Sequence, residues 1–333
     1  MKILITGSQG FIGSYVCLDL LKYGYQVIGI DNYSKYGYLH RPQDTYKNFT
    51  FYKCDMTTND YFEIVDKEQP EIIIAGAAMI GGISYFHKYA YDLLAKNERI
   101  IANTFDGAIK GFKSKYLKRI IVISSSMVFE ETTTFPSKEE DVRKSFPPRS
   151  TYGFQKLACE YFCQGAYEQY GLPYTIVRPF NCVGVGEDSA LNEDEITSGN
   201  IKLMLSHVLP DLVNKVLKGQ YPLHILGNGN QVRCYTNGKD IARAIRMIIE
   251  STHAINNDFN ISTSVATTVL ELAELVWKII NPEKPFVYIC DEPFEYDVQM
   301  RIPSVEKAKN ILGFRANISL EESVKEVINY MKQ

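Results

Sequence analysis

Tyr152 and Lys156 stand four residues apart in Ser150-Thr151-Tyr152-Gly153-Phe154-Gln155-Lys156. On a helix this spacing puts both side chains on one face, where the ammonium favours the phenolate and lets a tyrosine act as a base near neutral pH. Alone the pair says little, because a tyrosine beside a solvated lysine is common on helices. Two other features give it meaning. A hydroxyl cluster, Ser124-Ser125-Ser126, lies upstream, and the chain opens with Gly7-Ser8-Gln9-Gly10-Phe11-Ile12-Gly13. A base, an orienting hydroxyl and a glycine turn together describe a hydride-transfer site.

The glycine pattern sits between an apolar strand, Lys2–Thr6, and an amphipathic helix, Phe11–Lys22, the context in which such a pattern binds a dinucleotide. Gly7 permits the tight turn, Gly10 lets the backbone approach a pyrophosphate, and Gly13 allows close helix packing. Phe11 and Ile12 open a helix whose N-terminal N–H groups and partial positive charge suit a diphosphate. Asp31 closes the next strand, Gln26–Asp31, where its carboxylate can accept from both ribose hydroxyls and would repel a 2′-phosphate. The residues that follow, Asn32-Tyr33-Ser34, contain no arginine to neutralise one, so NAD is favoured over NADP. A turn-capping aspartate is the competing reading.

The elements that must position these groups alternate. Strands are expected at 51–53, 71–75, 119–124 and 174–178, and helices at 95–110 and 152–170, the latter ended by Gly171-Leu172-Pro173. This is an α/β chain with a Rossmann-type doubly wound parallel sheet. After Asn181 the character changes. An acidic stretch over 187–200, a helix over 201–218, a Gly/Asn loop at 227–230 and helices at 240–249 and 269–280 suggest a smaller C-terminal substrate-binding lobe. The expected division is residues 1–180 plus about 223–262 for the dinucleotide lobe and about 181–222 plus 263–333 for the other.

With 333 residues, 45% hydrophobic and 23% charged, the chain can bury a large core. A net charge of −3 with scattered lysines argues against nucleic acid. No apolar run reaches membrane-spanning length, and the N-terminus runs straight into a strand without room for a signal peptide. The seven cysteines are odd in number and lack C-x-x-C spacing, which suits reduced thiols in the cytoplasm. Cys159 and Cys163 share a helix face but have no further ligands nearby, so no metal is expected.

Together, Gly7/Gly10/Gly13, Asp31, Asp55-Met56, Ala77-Ala78, Ser125, Tyr152/Lys156 and Arg178-Pro179-Phe180-Asn181 resemble the extended short-chain dehydrogenase/reductase family, in particular its NAD-dependent nucleotide-sugar epimerases and dehydratases. The resemblance runs nearly end to end. It implies that Asp55 and Met56 lie beside the adenine, that Gly76, Ala77, Ala78 and Asn97 line the cofactor, and that Pro179 packs near the nicotinamide. Aligning Val128-Phe129 on the family's valine-tyrosine pair makes Ser125 the hydroxyl that holds the substrate oxygen. Ser126 and Met127 then fall where dehydratases carry an acidic pair and decarboxylases a serine-glutamate. By the same resemblance Asn181 and Arg233 reach the sugar diphosphate, and His207 and Val208 cover the phosphosugar. His224 and Arg301 meet the nucleotide, Arg301 within a segment that opens at Asp297. Phe294 stands where many UDP-sugar epimerases have an arginine, so UDP, dTDP, GDP and CDP stay open. Gly81-Gly82-Ile83 is similar to a segment of GDP-fucose synthases and GDP-mannose 3,5-epimerases and hints only at substrate shape.

The reaction this implies is oxidation at C4 of a nucleotide-diphosphate sugar, with Tyr152 as base, Ser125 orienting the oxygen and Lys156 stabilising the phenolate. Return of hydride to the other face gives a 4-epimerase. A net 4-dehydrogenase or 4-ketoreductase would use the same residues, and a noncatalytic NAD sensor is the reading outside enzymology. A thioether at position 127 cannot shuttle protons, which disfavours 4,6-dehydration and decarboxylation. The family resemblance also implies a homodimer through the helices 95–110 and 152–170.

Overall fold

The computed structural model describes residues 1–80, 89–187, 197–198, 200–202, 207–292 and 298–333. Gly81-Gly82-Ile83, most of the acidic stretch at 187–200, Phe294 and Asp297 lie outside the described residues. The first lobe runs β1 (Lys2–Thr6), α1 (Phe11–Lys22), β2 (Gln26–Asp31), β3 (Phe49–Lys53), α2 (Asp60–Glu68), β4 (Ile72–Ala75), α3 (Ala90–Lys113), β5 (Arg119–Ile123), α4 (Thr151–Tyr170) and β6 (Tyr174–Pro179). Later in the chain β7 (Asn257–Ile261) adds a seventh strand, and the parallel sheet has the order β7-β6-β5-β4-β1-β2-β3.

The strands form a parallel sheet because their apolar runs serve two faces. In β1, Ile3 and Ile5 pack with Val16, Leu20, Ile241 and Ile245 on one side, while Leu4 packs with Ile73, Ile101, Phe105 and Cys163 on the other. Strand order reverses between β1 and β4, and a doubly wound sheet opens its crevice at the carboxyl ends beside such a reversal. The turn after β1 and the loop after β4 therefore face one another. Helix α4 is set by both ends: the Ser150 hydroxyl accepts the Gly153 N–H at 3.0 Å, and Gly171 closes it at φ 72°.

A second apolar core gathers α5 (Val208–Leu217), α7 (Val269–Ile280) and α9 (Leu320–Met331) through Leu209, Val213, Leu272, Val276, Val324 and Ile328. The strand Leu223–Leu226, grouped by sequence with the first lobe, pairs with Tyr288–Asp291 and sends Leu223 and Ile225 into this second core. By contrast α6 (Gly238–Glu250) packs Ile241 and Ile245 into the first. The helix expected over 201–218 starts at Val208, since Ile201–Lys202 pair with Thr197–Ser198 as short strands. Helices α2, α8 (Glu306–Leu312) and α9 have no counterpart in the sequence reading; α2 buries only Tyr61, Ile64 and Val65. Among the described residues no helix is long and apolar enough to cross a membrane, and no group of three His, Cys, Asp or Glu side chains could hold a metal.

Candidate active site

The glycine turn is built to leave no side chain between backbone and ligand. Gly7 has φ +75°, and its carbonyl accepts the Gly10 N–H at 3.1 Å. A Cβ on Gly7 would stand 2.9 Å from the Ala77 backbone, and one on Gly13 only 2.0 Å from the Gly7 carbonyl oxygen. The cradle fits a diphosphate that must approach main-chain N–H groups. Asp31 sits at its edge, with Oδ2 accepting the Gln9 N–H at 3.1 Å and Oδ1 the Tyr33 N–H at 2.8 Å. Burial raises its pKa above the ordinary aspartate value against these two hydrogen bonds. Asn32 donates to Asp55 at 3.0 Å, and Asp55 also accepts from the Thr57 N–H and hydroxyl. Burial alone would raise Asp55, but the Thr57 and Asn32 hydrogen bonds, with the charge of Lys96, hold it below the usual range.

One cleft runs from this turn to α4, with about 1180 Å³ of space outside protein atoms, part of it open to solvent. Of the predicted cofactor residues, Gly7, Gly10, Phe11, Ile12, Gly13, Asp31, Asn32, Asp55, Met56, Gly76, Ala77, Ala78, Tyr152 and Lys156 line it. Tyr152 and Lys156 are both nearly buried, and the Lys156 ammonium lies 5.9 Å from the Tyr152 ring centroid while donating to the Ile123 carbonyl at 3.0 Å. Met127 and Leu93 pack against Tyr152, with Ile80 and Val298 around them.

Ser125 is buried but does not line the cleft; Ser124 does. Ser125 caps the short 3₁₀ turn Ser126–Phe129, its hydroxyl accepting the Met127 N–H at 3.2 Å. Ser126 is buried in that turn. The Ser124 hydroxyl donates to Glu160 at 2.6 Å; Glu160 takes two hydrogen bonds from Arg178, which also pairs with Asp258 at 2.7 Å. Asp258 in turn pairs with Lys307 at 2.5 Å. This ionic chain, buried at Ser124, Glu160 and Arg178 and half-buried beyond, pins the carboxyl end of β5 against α4, β6, β7 and α8.

Asn97, expected on the cofactor, clamps the loop after β4. Its side chain accepts the Met79 N–H at 2.6 Å and donates to the Met79 carbonyl at 3.0 Å, which sets Met79 and Ile80 in the cleft wall. Pro179 ends β6 beside Ile261 and lies outside the lining. Asn181 has φ 38°, its carbonyl accepts the Thr236 N–H at 3.1 Å, and its buried Nδ2 has no partner among the described residues. His207 does reach the cleft: its N–H and Nδ1 both meet the buried Glu187 carboxylate, at 3.1 and 2.5 Å, and Val208 opens α5 behind it. Burial would raise Glu187, but His207 and Lys35 outweigh it and keep the carboxyl below its usual range.

The other second-lobe candidates lie outside the lining. His224 Nδ1 meets Asp291 at 2.7 Å, and the Arg233 guanidinium donates to the carbonyls of Val298 and Gln299. Arg301 places NH1 3.2 Å from Met127 Sδ, and so borders the wall that holds Tyr152. Lining residues that sequence reasoning missed include Tyr33, Lys35, Tyr36, Met79, Lys96 and Ser124. Lys35 was the legible one, a cation four residues after Asp31. Burial, and less so the charge of Arg41, pull it below the ordinary lysine value against the attraction of Glu187.

Fold and cleft define an α/β protein that binds a dinucleotide at the glycine turn and carries a tyrosine-lysine pair at the far end of the same cleft. The profile of the NAD dependent epimerase/dehydratase family matches residues 3–262, and the chain belongs to that family. It is an NAD-dependent enzyme of the nucleotide-sugar epimerase type. A UDP-N-acetyl-alpha-D-glucosaminuronate decarboxylase of Bacillus cytotoxicus is 28% identical over 344 residues, covering 100% of this chain and 98% of the relative. The crystal structure of UDP-glucose 4-epimerase from Thermotoga maritima with UDP-glucose superposes with a TM-score of 0.83 at 28% identity, covering 100% of this chain and 99% of that one. UDP-glucuronic acid 4-epimerase from Bacillus cereus, in complex with UDP-glucuronic acid and NAD, shares the fold with a TM-score of 0.83 at 23% identity, covering 100% and 99%.

Proposed function

We propose that the protein interconverts the C4 epimers of a nucleotide-diphosphate sugar through a transient 4-keto sugar. One observation carries this reading: Tyr152 and Lys156 share a cleft with the glycine turn, and position 127, packed on Tyr152, holds a methionine rather than an acid. NAD, when bound, supplies the acceptor and then the donor of the C4 hydride. Tyr152 takes the proton of the 4-hydroxyl and later returns it. Lys156, tied to the Ile123 carbonyl, holds its charge near the phenol ring throughout. The family resemblance assigns the orienting hydroxyl to Ser125, which accepts the Met127 N–H and keeps its own proton to donate, while Ser124 is committed to Glu160. A thioether has no proton to give, so neither elimination nor decarboxylation finds an acid at position 127.

The sugar diphosphate is held away from the reacting carbon, with the buried Asn181 amide nitrogen, unpartnered among the described residues, as the donor this reading assigns to it, and this remote hold supplies binding energy while the 4-keto ring turns over. A homodimer across α3 and α4 fits the exposed Tyr91, Phe154 and Tyr161 on those helices; sedimentation as a stable monomer would remove it.

The test is incubation with NAD and UDP-glucose, UDP-glucuronic acid and dTDP-, GDP- and CDP-sugars, reading product stereochemistry by NMR together with reduced-nicotinamide absorbance. An epimer without net absorbance change is the expected result. Stoichiometric formation of reduced cofactor would replace the epimerase with a 4-dehydrogenase, and its stoichiometric consumption with a 4-keto sugar would replace it with a 4-ketoreductase.

A further inference from the structure

Outside the cleft, the segment between β2 and β3 does more than connect two strands. Its 3₁₀ turn, Pro42–Thr45, packs on the outer side of the glycine turn, and Arg41 and Gln43 are both buried there. Gln43 donates to the Ser8 carbonyl at 3.0 Å and accepts from the Ser14 hydroxyl of α1 at 2.9 Å. Asp44 accepts from the Gln9 amide at 2.9 Å and from the Arg41 N–H at 2.9 Å. Arg41 Nε donates to the Gln9 carbonyl at 3.2 Å. The carbonyls of Ser8 and Gln9 are thus tied outward, away from the face that takes the diphosphate.

The same guanidinium reaches across the lobes. Its NH2 donates to the Gly186 carbonyl at 3.0 Å, and a Cβ on Gly186 would stand 2.6 Å from its NH1. The neighbouring Val185 N–H donates to the Tyr15 hydroxyl of α1 at 2.8 Å, and Gly184 lies so close that a Cβ would be 2.4 Å from that oxygen. The strap 184–187 is therefore held to the cofactor turn and its helix by Tyr15 and Arg41. Directly after this anchor comes Glu187, which carries His207 into the cleft.

We propose that Arg41 is a positioning residue that couples the two lobes. By holding the Gln9 and Gly186 carbonyls at once, it sets the diphosphate-binding shape of the glycine turn together with the placement of Glu187 and His207. Dinucleotide affinity then depends on Gly186, which does not line the cleft. This rests on the cleft being the NAD site, and it needs no assumption about the sugar. A lysine cannot replace Arg41, because a single ammonium on a flexible stem lacks the fixed fork that spans two carbonyls.

Calorimetric titration of NAD into cofactor-free protein tests the coupling in Arg41→Met, Arg41→Lys, Gly186→Ala and the double variant Arg41→Met/Gly186→Ala, with the melting temperature of each measured without and with NAD. Each single substitution is expected to raise the NAD Kd about tenfold or more, since Gly186→Ala disturbs one of the charge-assisted hydrogen bonds of Arg41 and Arg41→Met removes both. The double variant is expected to be no weaker than the worse single, since both act through one contact. The NAD-induced rise in melting temperature shrinks in step. If Arg41→Met does not fold, Gly186→Ala and Arg41→Lys decide. A lowered melting temperature of the cofactor-free protein with NAD affinity within about twofold of wild type would leave Arg41 a structural residue only and overturn the proposal. Failure of the wild-type chain to bind NAD would instead overturn the cofactor assignment on which the proposal stands.

Discussion

Gly13→Ala sets two magnitudes of opposite sign against each other. An alanine inside a helix is worth about 1 kcal/mol over glycine, so propensity alone predicts a more stable protein. The structure predicts the reverse. The added Cβ would lie 2.0 Å from the Gly7 carbonyl oxygen, 2.9 Å from its carbon and 3.1 Å from the Ser8 Cα, all of them backbone atoms that cannot rotate away. Reaching an ordinary separation of about 3.5 Å requires α1 and the turn to part by roughly 1.5 Å. Overpacking of this kind costs about 1–3 kcal/mol and outweighs the propensity gain. Moving the turn also misaligns the N–H groups aimed at the diphosphate, and one lost charge-assisted hydrogen bond weakens NAD binding about tenfold. Thermal melts of the cofactor-free protein and calorimetric NAD titrations read both effects. Gly165→Ala is the control: Gly165 is exposed within α4, its Cβ would meet nothing within 4 Å, and stability should rise by about 1 kcal/mol with NAD affinity unchanged. A Gly13→Ala protein as stable as wild type and equally tight for NAD would refute the close-packed turn.

Tyr152→Phe should lower turnover by about 10²–10⁴-fold, the usual loss of a general base, while NAD titrates as before; normal turnover would remove Tyr152 from that role. Asp31→Ala should narrow the preference for NAD over NADP, measured as the ratio of their dissociation constants, and an unchanged ratio would make Asp31 only the residue that holds Gln9 and Tyr33. For Asp258, burial raises the pKa but Arg178 and Lys307 outweigh it, so the folded value is depressed. The folded state then binds fewer protons than the unfolded one between the two values, so this carboxylate contributes stability above the unfolded pKa, which is lost as pH falls through the folded one. Urea unfolding from neutral to acid pH should show Asp258→Asn less stable by about 1–3 kcal/mol near neutrality and level with wild type at the acid end. A constant gap across that range would deny the linkage.

Much of the first lobe was legible because its signals are local. The runs Ile3-Leu4-Ile5 and Ile72-Ile73-Ile74 are apolar on consecutive positions, as strands covered on both faces must be, and β1, α1 and β2 begin and end where the sequence places them. The second lobe was less legible. Its described strands are mostly two residues long, too short for any period to show, and the expected helix over 201–218 ran the short strand Ile201–Lys202 together with α5.

The site divides along the same physical line. Gly7, Gly10, Gly13 and Asp31 could be placed because each answers a demand made within one turn of chain. Asn97 and Ser124 could not, because what they do is decided by partners far away in sequence: Met79 across 18 residues and Glu160 across 36. An amide or hydroxyl carries the same local signal whether it faces a ligand or a loop carbonyl, and only the fold chooses between them. Arg41 shows the limit most clearly. Nothing around it in sequence asks for a buried guanidinium, and its purpose becomes visible only once the fold brings Gly186, 145 residues on, to the far side of the glycine turn. Residues of this kind set how rigidly a cofactor turn is held. Replacing them should therefore change binding constants before it changes chemistry.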